Sequence, residues 1–90
     1  KDIEAYLTIN PYNGPLISNL ATAKRLLGDY QGAAIEYDRA LRYSQLPAIY
    51  IERARNYVLL GKIQEARQDA QTLIDNGFGL PQDLRQNLGM

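Results

Sequence analysis

The chain repeats itself. Gly28-Asp29-Tyr30 and Gly61-Lys62-Ile63 stand 33 residues apart, and at that offset Ile17 falls on Tyr50, Ala21 on Ala54, Leu27 on Leu60 and Ala33 on Ala66. Upstream, Leu7 and Ile9 precede Leu41 and Tyr43 by 34; downstream, Leu84 and Leu88 follow Tyr50 and Ala54 by 34. A period of 33 to 34 residues, traceable across nearly all of a 90-residue chain, restricts the fold more than any composition does. Each period is one supersecondary unit too small to bury its apolar side alone, so neighbours must stack.

Inside each period the apolar spacing is helical. Ile17, Leu20, Ala21 and Leu27 follow i, i+3, i+4 spacing, as do Ala34, Ile35, Tyr37 and Leu41, then Tyr50, Ala54, Tyr57 and Leu60, then Ala66, Ala70, Leu73 and Ile74. No stretch alternates with a period of two, so no strand is predicted. Breakers fall between these runs. Pro11-Tyr12-Asn13-Gly14-Pro15 reads as a turn with Pro15 in a first helical turn, and Pro47 and Pro81 suit helix starts. Gly28 and Gly61 fit left-handed C-terminal caps, and Asn76-Gly77-Phe78-Gly79 closes a helix. The spacing predicts a helix ending near Ile9, helices near 15–27, 31–44, 47–60 and 63–75, and a short one near 81–88 carrying Leu84 and Leu88. Loops this short make neighbouring helices antiparallel.

Composition narrows the chemistry. Ten Lys and Arg balance ten Asp and Glu, and there is no His, Cys or Trp. Without Cys there are no disulfides and no thiolate metal site; without His the commonest near-neutral acid–base group and metal ligand is missing. Ser18 and Ser44 lack a His base, carboxylates are scattered singly, and no Gly-rich phosphate loop occurs. No catalytic residue, cofactor or metal is therefore expected. Balanced charge argues against a general nucleic-acid binder. No run of ~20 apolar residues is present to span a membrane. The start, Lys1-Asp2-Ile3-Glu4, has neither Met nor a signal-peptide core, which is expected of an excised fragment or a processed product. Absent Cys leaves the compartment open.

The first full period reads Ile17-x2-Leu20-Ala21-x2-Lys24, then Gly28-Asp29-Tyr30, Ala33-x3-Tyr37 and Ala40-Leu41. The second reads Tyr50-x2-Arg53-Ala54-x2-Tyr57, then Gly61, Ala66-x3-Ala70 and Leu73. This punctuation resembles the tetratricopeptide repeat, whose pattern runs bulky–x2–Leu–Gly/Ala–x2–Tyr, a Gly-Asp-Tyr-like turn, then Ala–x3–aromatic. The resemblance implies an all-α fold, a right-handed superhelical stack of antiparallel helix-turn-helix repeats (an α-solenoid). The tail of a preceding repeat would cover 1–12, full repeats 14–46 and 47–79, and a capping or next-repeat helix 80–90. Departures from the pattern are Lys24 for an aromatic, Arg53 for Leu, Ala70 for an aromatic, and Leu88 where Gly or Ala is usual. Lys24 can pack its stem and keep its ammonium in water.

Several roles follow from the resemblance. Ala21, Ala33, Ala54 and Ala66 are expected in the core, where small side chains allow close helix approach. Tyr30, Tyr37, Tyr50 and Tyr57 occupy core-type positions, and Tyr6, Tyr12 and Tyr43 lie near the ends of repeats, so the tyrosines are expected to pack rather than to stack nucleobases. Arg53 and Asp69, one on each helix of a hairpin, are expected to form a structural ion pair. First helices in this family line a concave groove. The groove positions here are Ser18, Asn19, Thr22, Arg25 and Leu26, then Ile51, Glu52, Arg55 and Leu59, with Gln82, Arg85 and Gln86 extending it. Helical spacing puts 18/19, 22 and 25/26 on one stripe, and 51/52, 55 and 59 on another. Of these, Asn19, Thr22, Arg25, Glu52, Arg55 and Arg85 are the candidate partner-binding residues, and three Arg against one Glu make the groove mildly cationic. The chaperone-tail adaptors of the family hold a C-terminal carboxylate with Lys, Asn and Arg; Ser18, Thr22, Glu52, Gln82 and Gln86 stand there instead, so that specialisation is not expected.

The expected function is a non-enzymatic scaffold that binds a peptide or partner protein on the concave face. No nucleic acid and no membrane insertion are expected. The rival is a structural spacer or self-association module that packs through exposed repeat ends, with no groove ligand.

Overall fold

The computed structural model describes residues 13–90. The helix expected to end near Ile9, the preceding-repeat tail over 1–12, and Tyr6 and Tyr12 lie outside the described residues. Five helices follow in order: α1 Gly14–Leu26, α2 Tyr30–Tyr43, α3 Pro47–Leu59, α4 Ile63–Asp75 and α5 Gln82–Leu88. No strand occurs among the described residues, and each helix lies within about two residues of its expected bounds.

The punctuation works through specific bonds. The Asn13 side chain accepts from Leu16 N at 3.0 Å and caps α1, with Pro15 in its first turn. Asp29 caps α2, its carboxylate accepting from Gly32 N at 2.9 Å. Lys62 takes Asp29's place before α4 and supplies no side-chain cap. Both hairpin turns are Schellman motifs. In the first, Asp29 N donates to Lys24 O and Gly28 N to Arg25 O; in the second, Lys62 N donates to Tyr57 O and Gly61 N to Val58 O. Every donor and acceptor of the second turn sits 33 residues after its counterpart, so the sequence period is also a period of backbone bonding. Gly28 and Gly61 hold φ of 87° and 76°, values a Cβ disfavours. Gly77 ends α4 in the same way, with Phe78 N donating to Leu73 O.

Within α1 and α2, Gly14 faces Ser44, Thr22 meets Tyr37 and Lys24 meets Glu36. As one partner advances the other retreats, so the two helices run antiparallel. The α3 and α4 pair is joined by the same turn. α3 packs on both α2 and α1, and α5 packs on α3 and α4. The result is a plate of about 40 × 27 × 17 Å.

Two apolar clusters fill it. The first gathers Ile17, Ala21, Ala33, Tyr37, Ala40, Leu41 and Ile49; the second Ala54, Ala66, Ala70, Leu84 and Leu88. The four expected core alanines are all fully buried. Leu88, the oversized residue at a small-residue position, is 1 % exposed, because the short α5 lays it down onto α3 and α4 rather than against a partner helix of its own. Three expected core residues are not core. Leu27 is 86 % exposed because it is the C-cap residue of α1, where the chain leaves the helix. Ile35 is 66 % exposed: the buried stripe of α2 is Ala33, Tyr37, Ala40 and Leu41, and Ile35 lies two residues, hence just over half a turn, from both Ala33 and Tyr37. Ile74, in the last turn of α4 beside the buried Leu73, stays exposed.

Candidate functional site

α1 and α3 lie side by side and enclose a depression of about 440 Å³ lined by Pro15, Ser18, Asn19, Thr22, Arg25, Leu46, Ala48, Ile49, Glu52 and Arg55. Five of the six candidate partner-binding residues, Asn19, Thr22, Arg25, Glu52 and Arg55, thus line one wall system. Arg85 does not. It projects toward the C-terminal end of the plate, where it lines a separate hollow with Leu80, Gln82, Gln86, Gly89 and Met90. Of the other groove positions, Ser18 is in the depression and nearly buried. Ile51 packs on the second apolar cluster, and Leu26 and Leu59 stand in solvent.

The floor includes Thr22, behind which Tyr37 is buried. Their hydroxyls meet at 2.7 Å, which fixes a tyrosine whose ring is wholly buried in the first cluster. Burial pushes the Tyr37 hydroxyl above its ordinary titration range, and the Thr22 bond partly offsets that.

Above the floor runs a chain of alternating charges. Arg25 Nη2 lies 2.8 Å from Glu52 Oε1, and its Nη1 donates to Glu52 O at 3.3 Å. Glu52 Oε2 accepts from Arg55 Nη1 at 2.9 Å. The outer edge of Arg55 then grips Asp83 of α5, Nε to Oδ2 and Nη2 to Oδ1, both at 3.0 Å. The series Arg25–Glu52–Arg55–Asp83 therefore crosses from α1 through α3 to α5. Each carboxylate neutralises an arginine, so the depression is charge-balanced and not cationic as the residue count suggested. The Arg55 bond holds the Asp83 carboxyl below the ordinary carboxylate range, and Asp83 in turn raises Arg55.

Asp83 was not among the candidate residues. The repeat carries no signal for it: Arg25 and Glu52 stand 27 apart and Arg55 and Asp83 28 apart, while at the 33-residue offset Arg25 falls on Val58 and Glu52 on Arg85.

The opposite side of α3 carries the expected Arg53–Asp69 pair. Arg53 Nε and Nη2 donate to the two Asp69 oxygens at 2.9 and 2.6 Å, and Nη1 donates to Asp38 at 2.9 Å. The guanidinium lies 5.8 Å from the Tyr50 ring centre and 5.5 Å from that of Tyr57. The Asp69 bond raises Arg53 above its ordinary value. One arginine thereby ties α2, α3 and α4 together, which is a structural role. Asn56, wholly buried, adds a bond from Nδ2 to Tyr30 O at 2.9 Å and leaves its Oδ1 without a partner. Nothing in the sequence singles it out.

Among the described residues no helix is long and apolar enough to cross a membrane. No family model, curated protein or solved structure matches this chain.

Proposed function

We propose that the chain is a protein-interaction module of the tetratricopeptide type, a right-handed stack of helix pairs whose odd-numbered helices offer a concave face to a peptide. The single observation that carries this reading is the depression between α1 and α3, which collects Asn19, Thr22, Arg25, Glu52 and Arg55 from two periods on one surface. The identical bonding of the two hairpin turns supports the repeat itself. Asn19 supplies an exposed amide for a peptide backbone, Pro15, Leu46, Ala48 and Ile49 an apolar wall, and the charge series a polar rim.

A peptide library displayed on phage and panned on this chain tests the reading. Selected peptides should shift the backbone NMR signals of residues in α1 and α3 that line the depression, and Asn19→Ala with Thr22→Ala should weaken them. Selected peptides that instead map to the α2 and α4 side would defeat it.

The spacer reading has one observation in its favour, the exposed Leu27 and Ile35 on the first helix pair and the exposed Ile74 and Met90, which line one hollow beside α5. A sedimentation series decides it: self-association that rises with concentration, and that polar substitution of Ile35 and Ile74 abolishes, supports stacking of copies.

A further inference from the structure

Arg55 is the one cation of the depression whose binding edge is held by an exchangeable partner. We propose that Asp83 occupies on Arg55 the place a partner's carboxylate takes, so that the groove's ligand is an acidic peptide and α5 supplies an internal competitor against it. The proposal rests on the groove reading above.

Three observations carry it. The first is geometry. Nε and Nη2 of Arg55 meet both Asp83 oxygens at 3.0 Å, the fork-to-carboxylate arrangement by which any external carboxylate would be bound. Nη1 is turned to Glu52, so the edge under Asp83 is the part of the guanidinium that points away from the groove's own acid. The second is attachment. Asp83 is half exposed, whereas α5 is anchored by Leu84 and Leu88, which are 0 % and 1 % exposed; Asp83 can therefore let go without α5 undocking. Ion pairs this exposed contribute little to stability, so a ligand displaces Asp83 at little cost. The third is charge. With Asp83 in place two guanidiniums face two carboxylates; once it swings away, the depression carries one uncovered positive charge. Arg25 cannot serve in its stead, since it is only 14 % exposed and holds both Glu52 Oε1 and the Glu52 carbonyl. The binding edge that opens lies on the α5 side of Arg55 and thus suits a negatively charged side chain on a peptide that extends from the depression across α3 toward α5.

The test uses a fluorescein-labelled hexaglutamate peptide and fluorescence anisotropy, with hexalysine and hexaglutamine as controls. Asp83→Asn should tighten hexaglutamate about two- to fivefold, the factor expected for removing a competitor of up to ~1 kcal/mol. Hexalysine and hexaglutamine should be unaffected. The double variant Asp83→Asn with Arg55→Gln should lose the gain. In the unsubstituted chain, hexaglutamate should shift the Arg55 Nε–Hε resonance and leave that of Arg53 in place, a reading that needs no variant to fold. Equal or weaker hexaglutamate binding by Asp83→Asn, or an unmoved Arg55 resonance, overturns the proposal. If library-selected peptides still map to the depression in that event, the competitor idea fails and the groove reading stands; if they map elsewhere, both fail.

Discussion

Arg53 and Asp69 show how one sequence position comes to carry several contacts. Asp69 is 3 % exposed and takes two guanidinium bonds, whereas Asp38, the third partner, is largely in water. Asp69→Ala should therefore cost ~3 kcal/mol, near the lower bound for breaking a buried pair, because part of the stranded guanidinium still reaches solvent. Asp38→Ala should cost under ~1 kcal/mol. Urea unfolding of the two variants reads the contrast directly, and equal losses would contradict it. The alanines make a second case. Ala33 and Ala66 are 0 % exposed, so enlarging either to Leu should cost ~1–3 kcal/mol through overpacking, visible as a lower thermal midpoint. The alanines were legible in the sequence because their spacing repeats. Asn56 was not, since a buried amide leaves no periodic trace, and neither was the neutralisation of Arg25 and Arg55. A residue count registers charges but not which of them touch.

At the scale of the element, turns and caps explain most of what the sequence revealed about helix bounds. Gly, Pro and Asp act locally, through φ or a bond three residues away, so their effect is written where they stand. What a helix packs against is not local, which is why the apolar spacing also promised burial to Ile35 and Leu27. Two glycines separate these influences. A Cβ on Gly61 meets nothing within 4 Å, so Gly61→Ala should cost ~1 kcal/mol for its φ alone. A Cβ on Gly14 would sit 2.5 Å from Ser44 Cβ and 3.0 Å from the Ala40 carbonyl, with no positive φ involved. Gly14→Ala should therefore be the more damaging, by prying the start of α1 from the end of α2; a smaller fall in thermal midpoint than for Gly61→Ala would refute this. α5 adds a dependence on acid. Arg55 depresses the Asp83 carboxyl in the folded chain, so below the ordinary carboxylate range the unfolded chain binds a proton more readily than the folded one. The contribution of this pair is fully present above about pH 4 and is lost as pH falls through the depressed value. Thermal midpoints at pH 7 and pH 3 should consequently fall less in Asp83→Asn than in the unsubstituted chain.

At the scale of the whole molecule, the two apolar clusters meet along a seam built mostly from polar bonds: Arg25 to Glu52, Arg53 to Asp38, and Asn56 to the Tyr30 carbonyl. The period in the sequence announced stacked helix pairs but could not announce that seam, because its partners lie 15 to 27 residues apart on different helices. α3 alone contributes to both clusters. Ile49 and Tyr50 at its start join the first, while Ala54, Tyr57 and Val58 further along join the second. Its backbone is thus a rod through two compartments, and its amides cannot open to solvent without loosening both. In hydrogen exchange, the central amides of α3 should be the last to acquire deuterium, whereas α5, anchored in one compartment only, can detach on its own and exchange early.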